Sequence, residues 1–140
     1  MALIADSGAI YALYDARDEY HSAVTDLIDH EPETIIVPMA ILAEIDYLLR
    51  VRLGNRAVLR FLEGIKIGGY TLEPLTSTDL VRCQSLLQTY GDLNLGLADG
   101  AVIATAERLK TRRILTVDER HFRAVRAADG KPFTLLPADA

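Results

Sequence analysis

An α/β fold, with a parallel sheet covered on both faces by helices, is the architecture this 140-residue sequence predicts. Two observations carry that prediction. Short apolar or β-branched runs alternate with longer stretches of helical apolar spacing, and the connections between them are short. Four carboxylates, Asp6, Glu44, Asp99 and Asp118, also fall at the ends of predicted strands or on adjoining helices, although they are spread over most of the chain. A parallel sheet with right-handed crossovers gathers such positions at one edge, where its ligand sites form.

The elements follow in order. Residues 2–5 read as a brief buried strand that leaves Asp6 at its carboxyl end, and Ser7 opens a helix with Ile10, Leu13 and Tyr14 on its apolar face. Residues 19–29 form a second helix with Ala23, Val24, Leu27 and Ile28 inward, until Glu31, Pro32 and Glu33 break it. A β-branched strand spans 34–37. Pro38 suits the first turn of the next helix, where no N–H donor is needed, and Ile41, Leu42, Ile45, Leu48 and Leu49 repeat at helical spacing around Glu44. Gly54 stops that helix and Asn55 caps another, with Val58, Leu59, Leu62 and Ile65 as its apolar residues. After Gly68 and Gly69 come a strand over 70–73 and a helix capped by Thr76 or Ser77 that runs to about Tyr90. Residues 97–109 are helical, with Asp99 in the first turn. Strands over 113–117, ending at Asp118, and 133–136 complete the series.

Composition bounds the function. Half of the residues are hydrophobic and a quarter charged, as expected of one globular domain over residues 1–140. The net charge of −5 argues against holding nucleic acid by overall attraction. The single cysteine, Cys83, sits among Leu80, Val81, Leu86 and Leu87, which predicts a core role, no disulfide framework and a cytoplasmic location. No signal peptide or membrane segment is expected: the start carries no basic leader, and the apolar run 35–43 is too short to span a bilayer and contains Pro38.

Carboxylates gathered at close range repel one another unless a cation intervenes, so the acid set predicts a hard, oxygen-preferring ion such as Mg²⁺ or Mn²⁺. Taken one at a time the acids are less telling. Asp6 with Ser7 reads as a helix cap and Asp118 as a turn residue. Glu44, on an apolar helix, needs a partner. Asp46 pairs with Arg50 at helical spacing, and Asp92 reads as a loop or cap residue. His21, His30 and His121 lack metal-ligand spacing, and His121 is given a structural role.

The boxes around these acids carry a family resemblance. Leu3-Ile4-Ala5-Asp6-Ser7, Ala43-Glu44-Ile45 behind Pro38, Gly96-Leu97-Ala98-Asp99-Gly100 and Ile114-Leu115-Thr116-Val117-Asp118, closed by Phe133-Thr134-Leu135-Leu136-Pro137, occur in order over nearly the whole chain. Together they resemble a PIN-domain ribonuclease, more narrowly the VapC-type toxin of a VapBC toxin–antitoxin pair. One departure is Gly100, where the family usually has alanine beside its third acid.

That resemblance implies a three-layer α/β/α PIN-like fold and Mg²⁺- or Mn²⁺-dependent endonucleolytic cleavage of structured RNA, transfer RNA among the candidates. Asp6, Asp99 and Asp118 would be metal ligands, direct or through water, and Glu44 an outer-sphere ligand or the base for the attacking water. Ser7 and Thr116, beside the acids, would orient a carboxylate or a water. A VapB-type antitoxin placing an arginine among the acids, and a homodimer through the helices at 58–65 or 80–87, are implied as well. The basic residues of the C-terminal third, Arg112, Arg113, Arg120 and Arg123 foremost, are the candidate RNA contacts. A receiver domain would need paired acids after the first strand, and a haloacid-dehalogenase-type phosphatase would need an aspartate where Gly8 stands. The rival of a different class is a PIN-like module that binds RNA or protein without cutting.

Overall fold

Leu3, Ile4 and Ala5 are wholly buried because they form the central strand of a five-stranded, all-parallel sheet. The computed structural model describes residues 1–140. In chain order the elements are β1 (Leu3–Ala5), α1 (Ser7–Tyr14), α2 (His21–Asp29), β2 (Ile35–Pro38), α3 (Leu42–Leu53), α4 (Asn55–Lys66), β3 (Tyr70–Glu73), α5 (Ser77–Thr89), α6 (Leu97–Arg108), β4 (Arg113–Leu115), α7 (Glu119–Ala124) and β5 (Thr134–Leu136). The strand order is β3-β2-β1-β4-β5. Passing from β1 through β2 to β3, the chain steps one way across the sheet; from β3 it steps back past β1 to β4. Right-handed crossovers therefore place α1 to α4 on one face and α5 to α7 on the other, which gives three layers. No helix is long and apolar enough to cross a membrane.

Register fixes where the acids emerge. Ile4 pairs with Ile36 on one side and Ile114 on the other. The Asp6 N–H then donates to the Leu115 carbonyl at 2.9 Å, and the Thr116 N–H to the Leu136 carbonyl at 2.9 Å. Asp6 and the segment leading to Asp118 thus leave the sheet side by side. The core between the layers is built from Ile10, Ile41, Ile45 and Leu49 on one face and Leu86, Val102, Ile103 and Phe122 on the other.

Several expected boundaries move. The second helix starts at His21, because the Asp18 carboxylate accepts the Tyr20 N–H at 2.8 Å and holds a turn there. Pro38 ends β2 in extended geometry rather than opening a helix; a 3₁₀ turn over Met39–Ile41 follows, and Glu44 still falls in the first turn of α3. Asn55 does not cap α4, since its side chain accepts from Arg50, and the turn belongs to Gly54 at φ 94°, a left-handed conformation that glycine tolerates. On α4 the inward residues are Ala57, Val58 and Phe61, whereas Leu59 and Leu62 are exposed; on α5 Leu80 and Val81 are exposed while Cys83 and Leu86 are buried. Thr76 caps α5 as expected, in a reciprocal box with Asp79. The departure at Gly100 has a packing cause: α5 lies so close to α6 that a Cβ there would meet Cys83 Sγ and Leu87 Cδ1 at 3.3 Å.

Candidate active site

Asp6 is the floor of the site. Its position at the carboxyl end of the central strand buries it to 5% exposure, and there it caps α1 by accepting the Ser7 N–H at 2.9 Å. The cap reading and the site reading are therefore both true of one residue. Its second oxygen accepts the Thr116 hydroxyl at 3.1 Å, and the same hydroxyl accepts the Asp118 N–H at 3.0 Å. Thr116 thus joins two of the acids, one by its carboxylate and the other by its backbone.

The remaining acids rise from that floor. Asp99 and Asp118 are half-buried and Glu44 is exposed, so the depression opens toward solvent with Glu44 at its rim. Glu44 is less enclosed than its apolar helix suggested, but it has the expected partner: the buried Ser7 hydroxyl donates to its Oε1, and no protein group takes Oε2. Asp99, in the first turn of α6, accepts the Gly96 N–H at 3.3 Å, at the positive end of the helix dipole. Asp118 caps α7 by accepting the His121 N–H at 3.1 Å.

The acids sense one another. Burial, then the charge of Asp99, and further the charge of Glu44 push the Asp6 carboxyl up to about 7. Asp99 is raised as well, chiefly by burial, with Asp118 and Glu44 adding to the rise. No arginine or lysine pairs with any of the four. A set of carboxylate oxygens in which burial, and then mutual repulsion, raises Asp6 and Asp99 fits a hard divalent cation, which would offset both. No group of three acid, histidine or cysteine side chains is already arranged to hold an ion.

The PIN domain profile matches residues 3–128. The chain belongs to the PIN-domain family. This PIN domain is 35% identical over 135 residues to Ribonuclease VapC26 of Mycobacterium tuberculosis (strain ATCC 25618 / H37Rv), an overlap of 96% of this chain and 100% of that protein. It is of the VapC type. In three dimensions it is similar to the crystal structure of VapC20 of the same species, a sarcin-ricin loop cleaving toxin, with a TM-score of 0.76 at 19% identity over 84% of this chain and 90% of that one. That second likeness shows the fold.

Two features of the PIN domain depart from expectation. His121, read as structural, contacts the site directly: Nδ1 lies 2.7 Å from Asp118 Oδ2 and Nε2 lies 2.9 Å from the Leu93 carbonyl oxygen. The usable signal was its position three residues after an acid able to cap a helix, but α7 buries only Phe122 and shows no periodicity to reveal that helix. The candidate RNA-binding arginines also separate. Arg112 and Arg113 lie at the amino end of β4, across the sheet from the acids, and hold Asp129 and Glu31, so they are removed from the site by the direction of the strand. Arg123 is held by Glu119 and Asp139. Arg120 alone of the four is exposed, without an ion-pair partner, and on the helix that Asp118 caps. Asp92 stands in a short 3₁₀ turn, away from any bond to the acids, and Asp46 pairs with Arg50 at 2.8 Å as expected.

Proposed function

We propose that this PIN domain is a metal-dependent endoribonuclease that acts as the toxin of a VapBC-type pair, cutting structured RNA such as transfer RNA in the cytoplasm. The observation that carries the proposal is the acid cluster itself: Asp6 is buried under the charges of Asp99 and Glu44, with no basic side chain of Arg or Lys type to balance them. Asp6, Asp99 and Asp118 would hold Mg²⁺ or Mn²⁺. Bound there, the ion would supply positive charge for the phosphoryl oxygens and lower the pKa of a bound water.

The chain's own groups do the rest. Ser7 fixes Glu44 through Oε1 and leaves Oε2 free to accept the proton of the attacking water. Thr116 holds Asp6 in one rotamer, and His121 does the same for Asp118. Arg120 extends from the same edge and would take a flanking phosphate. The antitoxin, a VapB-type chain, would place an arginine among the acids, because a guanidinium replaces cation charge and bonds carboxylates in bidentate fashion. Homodimerisation would use the exposed apolar residues Leu59 and Leu62 on α4 or Leu80 and Val81 on α5.

The test is cleavage of total RNA by the purified protein with Mg²⁺ or Mn²⁺, with chelator, and as Asp6→Asn, Asp99→Asn and Asp118→Asn. Cleavage should need the ion and each aspartate, and Glu44→Gln should be severely impaired. Cleavage that resists chelation, or wild-type rates in an aspartate variant, would sink the metal mechanism. Metal-independent RNA binding with no cutting would establish the binding-module reading instead.

A further inference from the structure

A group of arginines whose charge is free lies in the other half of the chain. Arg52, in the last turn of α3, and Arg56 and Arg60, on α4, are all exposed, and none forms an ion pair. Two of them are nonetheless held in place. The Arg52 guanidinium carbon sits 4.9 Å from the centre of the Tyr11 ring, and that of Arg60 sits 5.8 Å from the centre of the Tyr14 ring. Tyr11 and Tyr14 are three apart on α1 and so share a side of that helix. Arg56 precedes Arg60 by one turn of α4 and faces the same way.

Stacking on a ring orients a guanidinium without neutralising it, and its N–H edge stays available for an anion. The tyrosines supporting it are anchored in turn. Tyr11 donates its hydroxyl to Asp15, and Tyr14 shares a hydrogen bond of 2.8 Å with the Tyr70 hydroxyl while meeting Phe61 edge-on. In a chain of net charge −5, with four acids at its site, a polyanion needs such a local reversal of sign to approach.

The strip also has a fixed relation to the acids, because α1 begins at Asp6. At about 1.5 Å per residue, Tyr11 and Tyr14 stand roughly 8 and 12 Å along the helix from it. A stacked strand carries one phosphate per ~3.4 Å, so the strip lies about two to four nucleotides from a bond cut at the acids.

We propose that Arg52, Arg56 and Arg60 form a phosphate-binding strip that holds the RNA flanking the scissile bond, an inference that rests on the ribonuclease reading above. It contacts backbone rather than bases, so it sets the path of the RNA and adds affinity without choosing sequence.

The test uses the full chain in an Asp99→Asn background, which leaves RNA uncut, and a fluorescein-labelled RNA stem-loop titrated at several salt concentrations. R52Q/R56Q/R60Q should lower the slope of log affinity against log salt by about two to three, since each phosphate contact contributes ~0.7–0.9. The matching triple lysine variant should keep most of the slope, and Lys110→Gln, exposed on another face, should keep all of it. Melting curves accompany each variant. An unchanged slope in a folded triple glutamine variant overturns the strip, as does a loss that lysine fails to restore and that follows the melting temperature. Failure of the ribonuclease reading looks different: protein with every arginine and acid intact would leave total RNA uncut in the presence of Mn²⁺. Cutting by that protein combined with an unchanged slope defeats the strip alone.

Discussion

The imidazole of His121 spans the gap between Asp118 and the Leu93 carbonyl, with Nδ1 2.7 Å from Asp118 Oδ2 and Nε2 2.9 Å from Leu93 O. A carbonyl only accepts, so Nε2 donates to Leu93, and the Asp118 carboxylate beside Nδ1 favours a second proton there. The charged form of the ring is thereby favoured: its pKa is raised, first by the Asp118 hydrogen bond. Its positive charge also restrains the rise of Asp99.

His121→Gln should therefore destabilise the metal-free protein in a pH-dependent manner. A group with a raised folded pKa stabilises fully below its unfolded pKa and loses that contribution as pH rises through the folded value. The melting temperatures of wild type and variant in chelator should differ more at about pH 6 than at about pH 9, given an unfolded histidine near 6.5. An equal difference at both would mean that the ring acts through packing alone.

Ser7→Ala removes the donor that holds Glu44 Oε1 and leaves an exposed carboxylate free to rotate. Glu44 is at the solvent-facing rim, so stability should change by less than about 1 kcal/mol. Cleavage should fall by ~10–100-fold, the usual cost of removing an orienting partner beside a metal site. The comparison to make is single-turnover cleavage beside a thermal melt. A full loss of folding, or unchanged cleavage, would remove Ser7 from the orienting role.

Thr116→Val keeps the shape of a side chain that is 1% exposed and deletes both of its hydrogen bonds. Asp6 would lose a donor that lowers its pKa, and the Asp118 N–H would lose its acceptor. Burying groups left unpaired costs about 1–3 kcal/mol, so the variant should melt several degrees lower and bind metal more weakly. Metal affinity equal to wild type would show that Thr116 supports the fold but not the acids.

How far the sequence carried these conclusions depended on the kind of residue. Asp6 and Asp118 were legible because each follows a short apolar strand, and parallel pairing of β1 with β4 then puts them side by side. Asp99 was legible through the apolar stripe of α6 that follows it. The placement of the arginines was not legible, because charge is visible in sequence whereas strand direction is not: Arg113 and Asp118 are five residues apart, yet they stand at opposite edges of the sheet. The partners of Arg113, Glu31 and the Met1 carbonyl, are remote in sequence, and nothing local announces them. The ring faces under Arg52 and Arg60 likewise exist only once α1 packs against α3 and α4.

The strongest prediction concerns Asp6, whose carboxyl is pushed up to about 7 by burial and by the charge of Asp99. Between the unfolded value near 3.9 and the folded value, the native state binds a proton that the unfolded state does not. Metal-free stability should therefore fall as pH rises from about 4 to about 7, by an amount on the order of 4 kcal/mol, and level off above. Asp6→Asn should flatten that slope and melt higher than wild type at about pH 8, with an advantage that shrinks on acidification. Asp99→Asn should melt no lower than wild type in chelator, since it removes the next cause while an amide oxygen still accepts the Gly96 N–H. Mg²⁺ should stabilise the wild type by roughly 1 kcal/mol at a few times Kd, and more at about pH 8 than at about pH 5, where Asp6 must first give up its proton. Both aspartate variants should gain less. Thermal melts over this pH range, with and without Mg²⁺, decide the matter: a marked loss of stability in metal-free Asp99→Asn, together with an equal Mg²⁺ response in all three proteins, would make Asp99 a helix cap and dissolve the shared metal site.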